Sequence, residues 1–219
     1  MFNLKNLSVL GLALALATGC SNNKATEQQA AAKPKPEIPG FPQIKPLAPE
    51  DEVAVISTDF GKIVIRFFPE IAPNHVANFI DLAKSKFYDG TTFHRVIPDF
   101  MIQGGDPNSR DDDLTNDGIG RGPRSIKAEF SRMPHTRGIV SMARGQDPNS
   151  ASCQFFIMVA DAPHLNGQYS AFGKVIEGMD TVDKLVALKR NENDNPGKVA
   201  RIRSVTIQKA GDVLKFPLN

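Results

Sequence analysis

The sequence predicts a mainly β protein, a closed antiparallel barrel capped by two α-helices. Three observations point there. Short runs rich in β-branched residues recur between clusters of Gly, Pro, Asn and Asp. Two stretches carry apolar residues at helical spacing. Many short strands with few helices are the pattern of a barrel that removes its own edges.

The β pattern starts at Glu52. Val53-Ala54-Val55-Ile56 and Ile63-Val64-Ile65-Arg66-Phe67 flank Asp59-Phe60-Gly61, which reads as a hairpin. Residues 73–86 place Val76, Phe79, Ile80, Leu82 and Ala83 on one helical face, with Pro73 near the start and Asp89-Gly90 beyond the end. A second helix is expected over Thr181–Lys189, with Val182, Leu185, Val186 and Leu188 apolar. Ile202–Ile207 reads as a closing strand, and no internal repeat is visible.

The chain has 219 residues, 41% hydrophobic and 23% charged, which suits one globular domain with appendages. A net charge of +2 gives no basic face for nucleic acid. His75, His94, His135 and His164 form no ligand pair at helical spacing, so no metal and no cofactor is expected. Asp113 opens a run resembling a calcium loop, but its twelfth position is Arg124 where a bidentate Glu is needed. Asp111-Asp112-Asp113 therefore reads as a solvated acidic loop. Gly118, Gly120 and Gly122 lack the strand and helix of a dinucleotide fingerprint. Ser141 and Ser152 sit in no nucleophile elbow. Cys153 lies in an apolar run and reads as a buried thiol.

Residues 1–20 read as a secretory signal: Lys5 supplies the positive start and Leu7 to Ala17 an apolar stretch too short to span a bilayer. Leu16-Ala17-Thr18-Gly19-Cys20 resembles the lipobox of bacterial lipoproteins, with Ala17 where most carry Leu. The resemblance implies acylation of Cys20 and a lipid-anchored protein of the cell envelope, with its domain outside the cytoplasm. An ordinary cleaved signal is the alternative. Ser21, in place of Asp, leans the location towards the outer membrane. Residues 21–50 hold six prolines between Pro34 and Pro49 and no apolar period, so they are assigned to a flexible linker. The folded domain is placed at 51–211 and a tail at 212–219.

The segment from Phe93 to Asp106, FHRVIPDFMIQGGD, resembles the signature of cyclophilins. Gly138-Ile139-Val140-Ser141-Met142-Ala143, Ser152-Cys153-Gln154-Phe155-Phe156-Ile157, Leu165-Asn166-Gly167 and Phe172-Gly173-Lys174-Val175 match further blocks in family order. The resemblance spans about residues 52–209. It implies an eight-stranded barrel and peptidyl-prolyl cis/trans isomerase activity on proline-containing polypeptides, by a protein expected to be a monomer.

That activity needs no covalent chemistry. Resonance gives peptide C–N rotation a barrier of ~18–20 kcal/mol, and a catalyst need only bind the twisted bond better than either planar form. An apolar pocket for the ring and a fixed donor near the prolyl nitrogen suffice. The resemblance implies that Arg95 is the donor and that Gln103 orients it. By the same resemblance Phe100, Met101, Phe156 and Leu165 form the prolyl pocket. Ala143 and Gln154 line the groove for preceding residues, and His94 lies at its edge.

Geometry supplies an independent condition. A three-residue loop at Pro98-Asp99-Phe100 pairs Arg95 with Gln103 and sets Arg95, Met101 and Gln103 on one face. A two-residue loop would separate them. Asp99 tolerates the left-handed backbone such a loop needs, and the three-residue loop is expected.

The chain departs from the family at several places. His164 stands where many eukaryotic cyclophilins have a tryptophan, which implies weakened binding of the cyclic peptide cyclosporin. Tyr169 stands at the pocket histidine. Residues 107–124 are expanded and acidic, and Arg144-Gly145-Gln146-Asp147 alter the next loop. A membrane-tethered proline-peptide binding or chaperone module is the alternative function. It could keep the apolar pocket and dispense with Arg95.

Overall fold

The computed structural model describes residues 43–216. Eight strands form one antiparallel sheet: β1 (Glu52–Thr58), β2 (Gly61–Phe67), β3 (Arg95–Ile97), β4 (Met101–Gly104), β5 (Ile139–Met142), β6 (Phe155–Met158), β7 (Ala171–Glu177) and β8 (Ile202–Lys209). Their order is β3-β4-β6-β5-β7-β2-β1-β8. Helices α1 (Pro73–Lys84) and α2 (Met179–Val186) pack against it, and a single-turn α3 (Ala210–Val213) follows β8.

The expected closed barrel is corrected here: the sheet is open. Its terminal strands, β3 and β8, do not pair with each other. One isolated bridge, Thr92 to Arg201, crosses the seam just ahead of β3. Phe93 N–H donates to the Ala200 carbonyl at 2.9 Å, and from there the chains diverge. Val96 N–H instead donates to the Asp194 carbonyl, also at 2.9 Å, so a loop rather than a strand covers the outer edge of β3. Strand β3 has only three residues, too few to carry a second ladder past that divergence.

Local chemistry explains the element boundaries. The β1–β2 hairpin closes at Thr58 and Gly61. A Cβ on Gly61 would lie 2.4 Å from Thr181 Oγ1, and its φ is 136°, so glycine is required there. Helix α1 starts with Pro73 and has no local side-chain cap. Its free N–H groups are met by a distant carboxylate: Glu129 accepts from Asn74 N at 3.1 Å and His75 N at 3.0 Å. The helix ends two residues before the expected 86, because Lys86 adopts φ 59° and the chain turns back. Helix α2 begins at Met179 rather than Thr181, after Gly178 at φ 91°, whose Cβ would strike the Lys62 carbonyl at 2.0 Å. It ends at Val186, short of the expected Lys189.

The interior is aromatic. Phe79 contacts Phe67, Tyr88, Phe155 and Phe172, with the Phe79–Phe155 pair edge to face at 5.3 Å between centroids. Cys153 is buried in this core, and burial pushes its thiol up to about 11. A separate apolar cluster on the opposite surface of the sheet holds Met101, Phe156 and Leu165. A third lies outside β1 and β2, where Val53, Val55 and Val64 are covered by Leu47, Val213, Leu214 and Phe216. Residues 43–50, assigned to the linker from composition, thus include a stretch held against the domain. Arg66 Nη2 donates to the Lys45 carbonyl at 2.6 Å, and Gly211 N–H to the Pro49 carbonyl at 2.8 Å.

Candidate active site

The site is built on the β3–β4 hairpin. Its register pairs Arg95 with Gln103, Val96 with Ile102 and Ile97 with Met101. The loop is therefore the three-residue one, and Asp99 takes φ 58° within it, as the pairing argument requires. Alternation puts Arg95, Met101 and Gln103 on the outer face, while Val96 and Ile102 enter the core. Strand β6 pairs with β4 and brings Phe156 opposite Gln103. Ala143 follows β5, and Leu165 ends a short 3₁₀ turn at Pro163–Leu165.

These elements enclose a cavity of about 230 Å³ lined by Arg95, Phe100, Met101, Gln103, Ala143, Arg144, Phe156, Leu165 and Tyr169. It has room for a pyrrolidine ring. Phe156 forms its floor and meets Tyr169 edge to face at 5.6 Å. His135 stacks beneath Phe156 at 6.1 Å. Burial lowers the pKa of His135 and favours the neutral ring, which sits within 3.1 Å of Ser141 Oγ through Nε2. Arg144 lies over Tyr169 at 4.8 Å, with its Nη1 donating to the Gly145 carbonyl at 2.8 Å. A larger cavity of about 720 Å³ lies between residues 45–52 and α1, but it holds none of the candidate site residues expected from the sequence.

A second cavity of about 270 Å³ continues the groove, sharing Gln103, Ala143 and Arg144 with the first. Its far wall is Gly118, Ile119 and Gly120. Gln154 joins wall to floor: Nε2 donates to the carbonyls of Gly118 at 2.9 Å and Gly120 at 2.8 Å, and Oε1 accepts from Gln103 Nε2 at 2.8 Å. The glycines serve close approach. A Cβ on Gly120 would lie 1.9 Å from Oδ1 of Asp106, the fully buried carboxylate that accepts from the N–H groups of Gly118 and Gly120.

Not every expected residue converges on the ring-sized cavity. His94 is 4% exposed and lines an adjoining cavity together with Arg95, Gln103, Asp117 and Asn195, at the edge of the site. Among the described residues neither of its ring nitrogens has a hydrogen-bond partner, and burial lowers its pKa. His164 stacks on Phe100 at 5.8 Å on the outer rim. Gln154, expected in the groove for preceding residues, lines the continuation of the groove. Among the described residues, no hydrogen bond joins Gln103 to Arg95. The Gln103 amide turns to Gln154, and Arg95 Nε faces Asp194 Oδ2 at 4.0 Å. Sequence reasoning set the loop from Arg144 to Asp147 beside the groove but gave Arg144 no role as a wall of both cavities, and it missed His135 as a support of Phe156. The Arg144 signal was present, since a cation directly follows Ala143. Nothing local marks His135.

An open eight-stranded sheet around an aromatic core, with an apolar ring-sized pocket beside an arginine and a groove leading away, defines a class of protein by its fold and its site. Comparison with known proteins gives that class its name. Residues 53–207 match the family model for cyclophilin type peptidyl-prolyl cis-trans isomerase. A probable peptidyl-prolyl cis-trans isomerase of Brucella abortus is 41% identical over 170 residues, covering 74% of this chain and 87% of the relative. An isomerase of Schizosaccharomyces pombe is 41% identical over 148 residues, covering 64% and 89%. A crystal structure of a Cryptosporidium parvum cyclophilin, determined in the presence of the dipeptide Ala-Pro, superposes with a TM-score of 0.65 at 33% identity, covering 71% of this chain and 98% of that one. The chain belongs to the cyclophilin-type peptidyl-prolyl cis-trans isomerases, enzymes that accelerate rotation about Xaa-Pro bonds.

Proposed function

We propose that this isomerase seats the prolyl ring in the cavity floored by Phe156 and uses Arg95 as its electrostatic catalyst, on exported proteins at a lipid-anchored site. The observation that carries the catalytic part is the shared lining: Arg95 and the apolar residues Phe100, Met101, Phe156 and Leu165 border one cavity. The Ala-Pro dipeptide named with the Cryptosporidium structure supports a proline-containing occupant.

The chemistry follows from resonance. As the Xaa-Pro bond twists, the prolyl nitrogen loses conjugation and its lone pair becomes available to a donor. A guanidinium keeps its charge at any working pH and presents a rigid fork of N–H groups. Aimed at that nitrogen, it favours the twisted state over both planar ones, which is the whole requirement for catalysis. Phe156 and Leu165 hold the ring while the preceding residue turns in the open groove along Gln103 and Ala143.

Arg95→Ala tests this. On an Ala-Pro test peptide kcat/KM should fall by about 100-fold or more, the scale of losing one preorganised donor to a transition state. Unchanged kcat/KM would remove Arg95 from the mechanism. A cellular phenotype that survives this loss would favour the alternative, a tethered proline-peptide binding or chaperone module.

The envelope location rests on the signal-like residues 1–20, the lipobox-like stretch before Cys20 and the proline-rich run that follows. Cys20 lies outside the described residues. Two or more acyl chains there would hold the protein stably at a membrane. Mass spectrometry of the mature N-terminus should find a lipidated Cys20, and size-exclusion chromatography of the domain should find a monomer. Cyclosporin should inhibit weakly, because His164 offers a smaller ring than tryptophan at the rim. A nanomolar inhibition constant would contradict that.

A further inference from the structure

The sheet fails to close at the same place where Arg95 stands. The outer edge of β3 has no strand beside it. What stands there is a tight polar turn spanning residues 190–195. Asn191 organises it: its Oδ1 accepts from Asn193 N at 2.9 Å and Asn195 N at 3.0 Å, and its backbone N–H donates to the Asn195 carbonyl at 2.9 Å. Asp194 N–H donates to the Asn191 carbonyl at 3.1 Å, and Asp194 sits at φ 60°. Few residues other than glycine hold that conformation, and Asp and Asn are the usual ones.

The turn does two things to β3 at once. The Asp194 carbonyl accepts from Val96 N–H at 2.9 Å, fixing the strand one residue from the arginine. The Asp194 carboxylate then lies between two guanidiniums, 3.0 Å from Arg190 Nε and 4.0 Å from Arg95 Nε. Among the described residues it is the carboxylate within ion-pair distance of Arg95. Gln103, the other candidate to steer that side chain, gives its Nε2 to Gln154 and, among the described residues, makes no hydrogen bond to Arg95.

We propose that Asp194 is a positioning residue for Arg95, holding the Nε side of the guanidinium so that its terminal nitrogens stay turned to the prolyl cavity. An arginine that is 47% exposed otherwise spreads over many rotamers, and a carboxylate held behind it, at ion-pair distance, narrows that spread. Arg190 shares the carboxylate and holds it in place. The inference rests on the reading of Arg95 as the catalytic donor.

Asp194→Asn isolates the charge, because asparagine accepts the same positive φ and leaves the backbone carbonyl on Val96. kcat/KM should fall by about three- to fivefold, the scale of one partly exposed ion pair, mostly in kcat, with the melting temperature unchanged. Asp194→Gly also suits this φ and should show the same loss, which separates the carboxylate from any loosening of the turn. The deciding measurement is the double-mutant cycle. In an Arg95→Ala background, Asp194→Asn should have no effect on the residual rate. An equal loss in both backgrounds overturns the inference, as does full activity of Asp194→Asn beside an Arg95→Ala enzyme that has lost its activity. Full activity of Arg95→Ala itself sinks the catalytic reading and takes the inference with it.

Discussion

The two hairpins of this sheet are built to opposite specifications. In β1–β2 the strands run seven residues each and are covered on both faces. Ala54, Ile56, Ile63 and Ile65 point into the aromatic core, and Val53, Val55 and Val64 lie under the terminal segments. In β3–β4 the strands have three and four residues, one edge is unpaired by any strand, and Arg95 is exposed. Burial on two faces makes the first hairpin a source of stability. Brevity and an edge covered by a loop rather than a strand make the second a platform whose outward side chains border the candidate site. Stability and chemistry thus reside in different strands, and each can be perturbed without the other.

The strongest way to break that separation is a crossed pair of substitutions. Ile65→Ala empties part of a fully buried site and should cost about 2–5 kcal/mol of stability, with kcat/KM per folded molecule unchanged. Arg95→Ala should do the reverse, leaving the denaturation midpoint alone while activity falls. Denaturant titration beside isomerase assays reads both. If Ile65→Ala lowers the activity of the folded fraction severalfold, the two hairpins are coupled and the contrast fails.

A second test concerns the outer cover of β1–β2. Trimming the chain to residues 51–211, the limits that composition suggests for the domain, removes Leu47, Val213, Leu214 and Phe216 from Val53, Val55 and Val64. Four partly buried apolar side chains account for about 3 kcal/mol by area. The trimmed protein should unfold at correspondingly lower denaturant, and a midpoint equal to that of residues 43–216 would show the cover to be idle.

The same contrast governs what could be read from the sequence. The run Val53–Ile56 announced a strand, and the helical spacing of Val76, Phe79 and Leu82 announced α1. The hairpin that carries Arg95 was legible because strand alternation allowed one loop length that puts Arg95 and Gln103 together, and that register is observed. What escaped was non-local. Barrel closure depends on whether β3 and β8 meet, and no local pattern in Arg95–Ile97 reveals that Asp194 intervenes. Compositional bias marked residues 43–50 as linker, and their docking depends on valines that appear later in the chain.

Acidification should reach the site side of the molecule through buried histidines. Burial lowers the pKa of His94 behind β3, with Asp106 and Asp117 opposing that shift, and burial lowers the pKa of His135 beneath Phe156, with Asn166 opposing it. A base whose folded pKa is depressed takes up its proton more readily when unfolded, so stability is full above the unfolded value of 6.5 and declines as pH falls below it. Glu129 adds to this at lower pH. Burial pushes its carboxyl up, but hydrogen bonds from His75 and Asn74 outweigh that and hold it below the ordinary value, so its contribution is lost as pH drops through the carboxylate range. Denaturant midpoints should fall progressively from pH 7 to pH 4. Ring titrations by NMR should place His94 and His135 below 6.5, and a titration above it for either ring would reverse the sign.

The smallest expected effect lies at the junction between α1 and the site. Lys86 occupies φ 59° where helix ends favour glycine, and the hydrogen-bond pattern there is complete: Lys86 N–H donates to the Ala83 carbonyl at 3.0 Å and Phe87 N–H to the Leu82 carbonyl at 2.9 Å. The side chain gains nothing from the left-handed backbone, which costs a non-glycine residue roughly 1–2 kcal/mol. Glycine removes that cost and returns part of the gain through its larger unfolded-state entropy. Lys86→Gly should therefore stabilise the protein by about 0.5–1 kcal/mol, with kcat/KM unchanged, because the turn belongs to the core-building half of the molecule. A decrease in stability would mean that Lys86 holds its backbone through contacts of its own. A change in kcat/KM would mean that the end of α1 reaches the groove.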